Sequence, residues 1–289
     1  MKEKKKKRKI KLFGIFVPVL AVVLFLTLCP QYRYVLAEKI GINCDEIKMT
    51  KVKPGDLSQF TLEELKADEK VTFNQSMMLI NTEYLLQDDY VADLSCYNNT
   101  DLQMNCCIHD AYKELSLAVN SETGSKLYVS SAYRTYEEQL EQYEKDSETA
   151  TVAGASEHQT GLALDVYVAY NAGFNFLKTE AGRFVNSNCW EYGFIIRYPS
   201  YGQDKTGIKY EPWHIRYVGA PHAKIIYNNQ LTLEEYILSL ENGDWYKIDE
   251  YLISRQKPRD NTSLTLPNEY SSAVISPDNT GSYIITIKK

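Results

Sequence analysis

Residues 12–29 read LFGIFVPVLAVVLFLTLC, 18 positions without a charge, and no other feature constrains the chain so strongly. A helix needs about 20 apolar residues to cross a hydrocarbon core. Residues 2–11 directly before this run hold eight Lys or Arg and one Glu, so the formal charge of −6 divides into +7 for the head and −13 for the remainder. Basic residues collect on the cytoplasmic side of a span. The reading is therefore a cytoplasmic head over 1–11, a single transmembrane helix over 12–29, and everything after residue 30 outside the cell. A cleaved signal peptide would carry a shorter apolar core and a small-residue cleavage site, and neither is present. Cys29 is a poor lipoprotein site, because Leu28 stands where a small residue belongs.

The acidic remainder excludes nucleic acid as a partner, since phosphate binding needs a basic face. With 44% apolar residues among 289, the chain can bury a full core. Of the six cysteines, five fall in the exterior part, an odd number whose spacing names no disulfide framework. Cys106, Cys107 and His109 match no common zinc spacing, and the cysteines read as buried thiols on a helix. The oligomeric state is left open.

The order of elements suggests an α+β domain with a small antiparallel sheet flanked by helices. Residues 30–74 read as a stalk, with a turn at Pro54-Gly55 and a short helix opened by the Thr61/Glu64 capping box. The main domain is placed over 75–240. Ile108, Tyr112, Leu115 and Val119 have helical spacing, Leu127–Ser131 is β-prone, and Thr135/Glu138 opens another helix. Arg134 thus falls at a strand-to-helix junction. In GLALDVY (161–167) the apolar residues alternate with Asp165, which points away from the buried face. A helix over about 180–192 ends at Gly193, FIIRY and KYEPWHIRYV read as a hairpin, and Thr232/Glu235 opens a last helix. The extension over 241–289 is expected to be a β-hairpin around PDNTG.

Only four histidines occur, at 109, 158, 214 and 222. His158 lies seven residues before Asp165 in SEHQTGLALD, with glycines on either side that imply a tight loop. His214 follows Glu211 by three in EPWH. Two imidazoles and one carboxylate make three ligands and leave a fourth position open, as in catalytic rather than structural zinc. Glu211 travels with a ligand and is the obvious base. Strict strand alternation would send Glu211 and His214 to opposite faces, so Pro212 is expected to bend the strand there. His109 and His222 read as hydrogen-bonded structural residues.

SAYRT (131–135), SEHQTGLALD (156–165) and EPWH (211–214) together resemble the three signatures of the VanY-type D-alanyl-D-alanine carboxypeptidases, a group of zinc D,D-peptidases. The resemblance covers roughly residues 75–240. It implies that His158, Asp165 and His214 bind zinc, that Glu211 is general base and then acid, and that Arg134 stabilises the oxyanion. It also implies substrate contacts from Gln139 and Ser156, with Tyr133 and Trp213 as supporting wall residues. The implied partner is the peptidoglycan stem peptide, and the implied reaction removes its terminal D-Ala without a covalent acyl-enzyme. Trimming such ends removes the target of vancomycin, so a resistance role is implied as well. An L,D-carboxypeptidase or a D,D-dipeptidase on the same scaffold competes with this reading. A zinc-stabilised wall-binding module without turnover is the competitor from another class, and it would need neither Glu211 nor Arg134.

Overall fold

A computed structural model describes residues 18, 20–42, 44–147, 150–260 and 262–289. The expected span over 12–29 lies partly outside the described residues. Its described end is helix α1 (Leu20–Leu28), which meets α2 (Pro30–Lys39) at an angle of 105°. Pro30 supplies no backbone donor and so cannot continue the ladder of α1. No single helix among the described residues is long and apolar enough to cross a membrane, although the bent pair passes that test together.

The body begins with β1 (Thr50–Val52), β2 (Leu57–Thr61), α3 (Leu62–Ala67) and β3 (Val71–Phe73). A short ribbon of β4 (Leu94–Cys96) and β5 (Gln103–Asn105) precedes α4 (His109–Thr123), β6 (Tyr128–Ser131) and α5 (Tyr136–Lys145). Then come β7 (Ala163–Tyr167), α6 (Glu180–Asn188), β8 (Phe194–Ile196), the single turn α7 (Gln203–Thr206), β9 (His214–Tyr217), α8 (Ala220–Asn228) and α9 (Leu233–Ser239). The C-terminal part is all strand: β10 (Trp245–Ile248), β11 (Tyr251–Gln256), β12 (Ser263–Pro267), β13 (Ser272–Pro277) and β14 (Tyr283–Lys288). All three expected capping boxes form, at the starts of α3, α5 and α9.

The sheet that matters for chemistry has the order β6-β7-β9-β8 and is antiparallel throughout. Leu164 and Val166 of β7 and Ile215 of β9 bury one face against Ile108, just before α4, and Leu115 and Val119 along it. Period-two alternation then turns Asp165 and His214 to the other face. The architecture is a mixed α+β fold, as the order of elements implied.

The second sheet departs from expectation. It has six strands in the order β1-β10-β11-β14-β13-β3, with β3 parallel to β13 and the other pairs antiparallel. The hairpin around PDNTG is there as β13 and β14, but it is the middle of a sheet rather than a free extension. Residues 50–73, read as stalk, supply both edge strands, and β2 pairs with β12. Three-residue strands such as β1 and β3 carry too little alternation to register in a sequence; tertiary pairing makes them. The helix α2 is also docked: Ser187 Oγ donates to Tyr34 Oη at 3.2 Å, and the Tyr32 and Phe174 rings lie 6.0 Å apart.

Candidate active site

Register explains why the proposed ligands converge. Asp165 on β7 sits directly opposite His214 on β9, and Ser131 on β6 sits opposite Asp165. Directly paired residues on one face bring their Cβ atoms within about 5 Å. His158 arrives from a 3-10 turn over Glu157–Thr160 that closes at Gly161 with φ +68°. A Cβ at Gly161 would stand 2.7 Å from the Asn105 backbone nitrogen, so the SEHQTG segment needs glycine for its handedness and for space. One ligand atom from each of His158, Asp165 and His214 falls within 4.8 Å of the other two.

The His158 tautomer follows from its neighbours. Its Nδ1 lies 2.7 Å from the Ala132 carbonyl, which can only accept, so Nδ1 carries the proton. Nε2 is left bare and faces Asp165 Oδ2 at 3.3 Å. On His214 it is Nδ1 that faces the cluster, 3.0 Å from Asp165 Oδ1. Two bare imidazole nitrogens and a carboxylate oxygen around one point suit zinc. Burial would raise the Asp165 carboxyl, but His158 and His214 hold it far below the usual carboxylate range. Burial works to lower His214, yet the Asp165 carboxylate bonded to it, with Glu157 and Glu211 near, prevails and raises it, so a metal at Nδ1 would displace a proton.

Glu211 Oε2 is 3.8 Å from His214 Nδ1. The expectation for Pro212 fails in kind, because no bent strand carries the pair. Glu211–His214 is a turn, closed by His214 N donating to Glu211 O at 3.1 Å, and β9 starts only at His214. The turn folds Glu211 back over the cluster. Its carboxyl is raised by burial and by Asp165, with His214 opposing.

Arg134 follows β6, where its backbone N–H donates to the His158 carbonyl at 3.1 Å. Its guanidinium is oriented by Gln139 Oε1 at 2.6 Å and Ser131 Oγ at 2.9 Å. Burial lowers its pKa while Asp165 and Glu138 raise it. Arg134, Ser156, Glu211 and Trp213 all line a cleft of about 220 Å³ with the three metal-site residues. Gln139 lines it too, but both ends of its amide are engaged, since Nε2 donates to the Thr151 carbonyl at 2.6 Å. Its place is behind Arg134. Tyr133 is not in this cleft; it borders a neighbouring cavity with Tyr90 and Tyr136.

Two members of the site went unread in the sequence. Tyr198 is buried with its ring 5.0 Å from that of His214, and nothing in FIIRY distinguishes it. Glu157 is fully buried beside both histidines and bonded to two arginines; a carboxylate next to a ligand in SEHQTG was the available signal. His222 is structural, as expected, with Tyr236 Oη and Thr286 Oγ1 each at 2.7 Å. Cys106, Cys107 and His109 form no metal group among the described residues, where His158, Asp165 and His214 alone qualify; the two thiols sit on a 3-10 turn ahead of α4, and Cys106 is exposed rather than buried.

The family sequence model described as VanY, D-alanyl-D-alanine carboxypeptidase, matches residues 101–220. A D-alanyl-D-alanine carboxypeptidase of Enterococcus faecium is 31% identical over 271 residues, covering 85% of each chain. The chain belongs to the VanY family. A solved structure of the vancomycin-resistance D,D-dipeptidase VanXYg, in complex with a D-Ala-D-Ala phosphinate analogue, covers 81% of this chain and 99% of its own, at 25% identity and a TM-score of 0.64. The LdcB LD-carboxypeptidase structure covers 56% of this chain and 86% of its own, at 35% identity and a TM-score of 0.51. The VanY match over 101–220 contains every residue of the metal cluster together with Arg134 and Glu211.

Proposed function

We propose that this VanY-family protein is a zinc-dependent D,D-carboxypeptidase that removes the terminal D-Ala from peptidoglycan stem peptides. One juxtaposition carries the reading: Glu211 and Arg134 line the same cleft as His158, Asp165 and His214. A binding module has no use for a half-buried base and a held guanidinium over a metal site. Zinc held by the two histidines and Asp165 supplies Lewis-acid chemistry, polarising a carbonyl and lowering the pKa of water.

The chain's own residues do the rest. Glu211 takes the proton of the attacking water and gives it to the departing D-Ala amine. Arg134, steadied by Gln139 and Ser131, places its charge where the carbonyl oxygen becomes negative. Ser156 and Trp213 bound the substrate, while Tyr133 lies outside the cleft. No side chain is acylated. Trimming pentapeptide ends would remove the D-Ala-D-Ala target of vancomycin, which gives the activity a role in resistance.

Release of D-Ala from a pentapeptide stem, followed with and without a chelator, tests the proposal. Loss of activity on chelation and its return with zinc are the expected results. Cleavage of a tetrapeptide with the pentapeptide left intact would favour instead the L,D reading, which the likeness to LdcB supports.

The N-terminal segment is proposed to hold this domain at the outer face of the cell membrane. Its support is the basic head, the charge-free run behind it, and the exposure of Leu20, Val22, Val23 and Leu24 on α1. Protease added to intact, wall-stripped cells should then remove the body from its anchor. Full protection would put the body inside and overturn the topology.

A further inference from the structure

Among the described residues, four buried side-chain polar atoms have no hydrogen-bond partner, and two of them face each other: Glu157 Oε2 and His214 Nε2, 3.9 Å apart. That separation is too long for a hydrogen bond. Two orphaned atoms in one buried place are costly unless something completes them.

The other carboxylate oxygen of Glu157 is fully engaged. Oε1 accepts from Arg197 Nε and from Arg216 Nη1, each at 2.7 Å. Arg197 goes on to grip Glu234, Nη1 to Oε2 at 2.9 Å and Nη2 to Oε1 at 2.5 Å. Arg216 Nη2 donates to the carbonyls of Ser76 and Met78 at 2.9 Å each. Two guanidinium and two carboxylate groups neutralise one another, so the cluster is balanced without His214. The sheet sets this arrangement: Arg197 N donates to the His214 carbonyl at 3.1 Å, and Arg216 lies two residues beyond His214 on β9, on the same face.

His214 presents Nδ1 to Asp165 and Glu211. A nitrogen that binds a metal carries no proton, so the proton of the neutral ring must sit on Nε2. A carboxylate that accepts from that second nitrogen fixes the tautomer and the ring orientation, and makes the ligand more basic. We propose that Glu157 is the positioning residue for the metal ligand His214, its Oε2 closing from 3.9 Å to accept Nε2–H when the metal is bound, while Arg197 and Arg216 hold Oε1. The inference rests on the reading of His214 as a zinc ligand. A purely structural Glu157 would need Oε1 for its arginines and would have no reason to aim Oε2 at the imidazole.

The detergent-solubilised full chain, labelled with 15N at its four histidines, provides the direct test. With zinc bound, His214 should carry a slowly exchanging proton on Nε2, and His158 should carry its own on Nδ1. In Glu157→Gln the amide must turn its oxygen toward the arginines and its NH2 toward Nε2–H, setting donor against donor. Zinc affinity, measured by competition with a chelator, should fall about 10–100-fold, the usual effect of losing such a partner. Glu234→Gln is the control, for it damages the same ion cluster away from His214 and should lower stability while leaving zinc affinity unchanged. A His214 proton on Nδ1 in the zinc-loaded chain overturns the proposal, as does wild-type affinity in Glu157→Gln or an equal loss in Glu234→Gln. Should Glu157→Gln not fold, the unmodified chain decides: a strongly downfield-shifted Nε2 proton, as a bond to a carboxylate gives, supports the proposal, and an unshifted one overturns it. A wild-type chain that binds no zinc, or a His214→Ala variant that keeps it, overturns the metal reading itself and is a separate result.

Discussion

Glu211 and Arg134 are held in different ways, and the difference sets what each substitution should do. Glu211 is half-buried and lies beside Asp165, so its carboxyl ionises above the ordinary 4.5. As the proposed base it must be ionised. Turnover should therefore fall on the acid side as that carboxyl is protonated. Glu211→Ala should cut kcat by a factor of roughly 10² to 10⁴ and abolish that acid limb without releasing zinc. Arg134→Ala should lower kcat by about 2.7–4 kcal/mol in barrier height, the usual cost of a lost oxyanion donor. D-Ala release measured beside bound zinc separates the two from a ligand variant such as His214→Ala, which should lose the metal. An unaltered rate in Glu211→Ala would show that another group moves the proton. These residues were legible because their chemistry is crowded into short motifs with a spacing that few alternatives share. Tyr198 and Glu157 were not, since their roles come from cross-strand packing: Glu157 meets Arg216 across 59 positions of sequence.

Among the elements, helices were the easiest to read, because their caps and periodicity lie within a few residues. The 3-10 turn over Glu157–Thr160 and the turn over Glu211–His214 were harder: both are set by backbone geometry that glycine and proline permit without specifying. Least legible was α2. It carries Glu38 into a narrow pocket with Cys44, Tyr34 and Tyr201, where one carboxylate oxygen has no partner. Burial raises that carboxyl from 4.5 to about 7 against the pull of Ser200, Tyr210 and Lys39. The folded chain therefore holds more protons than the unfolded one between pH 4.5 and 7. Stability falls as pH rises through that window, and the cost is complete above it. Each tenfold change in proton affinity is worth about 1.36 kcal/mol. Allowing for partial exposure of the side chain, Glu38→Gln should then be more stable than wild type at pH 8 by about 1–3 kcal/mol. At pH 4 the two should unfold alike. Thermal melts at both values provide the check, and an equal gain at both would mean that the carboxyl is not ionising on docking.

Across the whole molecule the two sheets are one structure, and the boundary placed at residue 240 does not separate them. Tyr246, Ile248, Ile253 and Ile284 from the C-terminal strands bury against Ile225, Leu233 and Ile237 beneath the catalytic sheet. The segment that receives Arg216 is tied to those same strands: Met77 N donates to Ser276 Oγ at 2.9 Å and Leu79 N to the Asp278 carbonyl at 3.1 Å. Each fully buried side chain of that size contributes about 1.5–3 kcal/mol. Losing four together removes roughly 6–12 kcal/mol, which is most of the roughly 5–15 kcal/mol that stabilises a typical domain. The LdcB structure matches only about half of this chain, so a smaller body can carry the catalytic fold. In the present chain that body has been built with β1, β3 and the C-terminal strands as part of its core. A chain cut after residue 240 should therefore lose its cooperative melt and its zinc together, while a change on the exposed face of β10, such as Lys247→Ala, should spare both. A truncated protein that melts cooperatively and binds zinc as the full chain does would mean that the catalytic sheet is self-sufficient and the second sheet merely covers it.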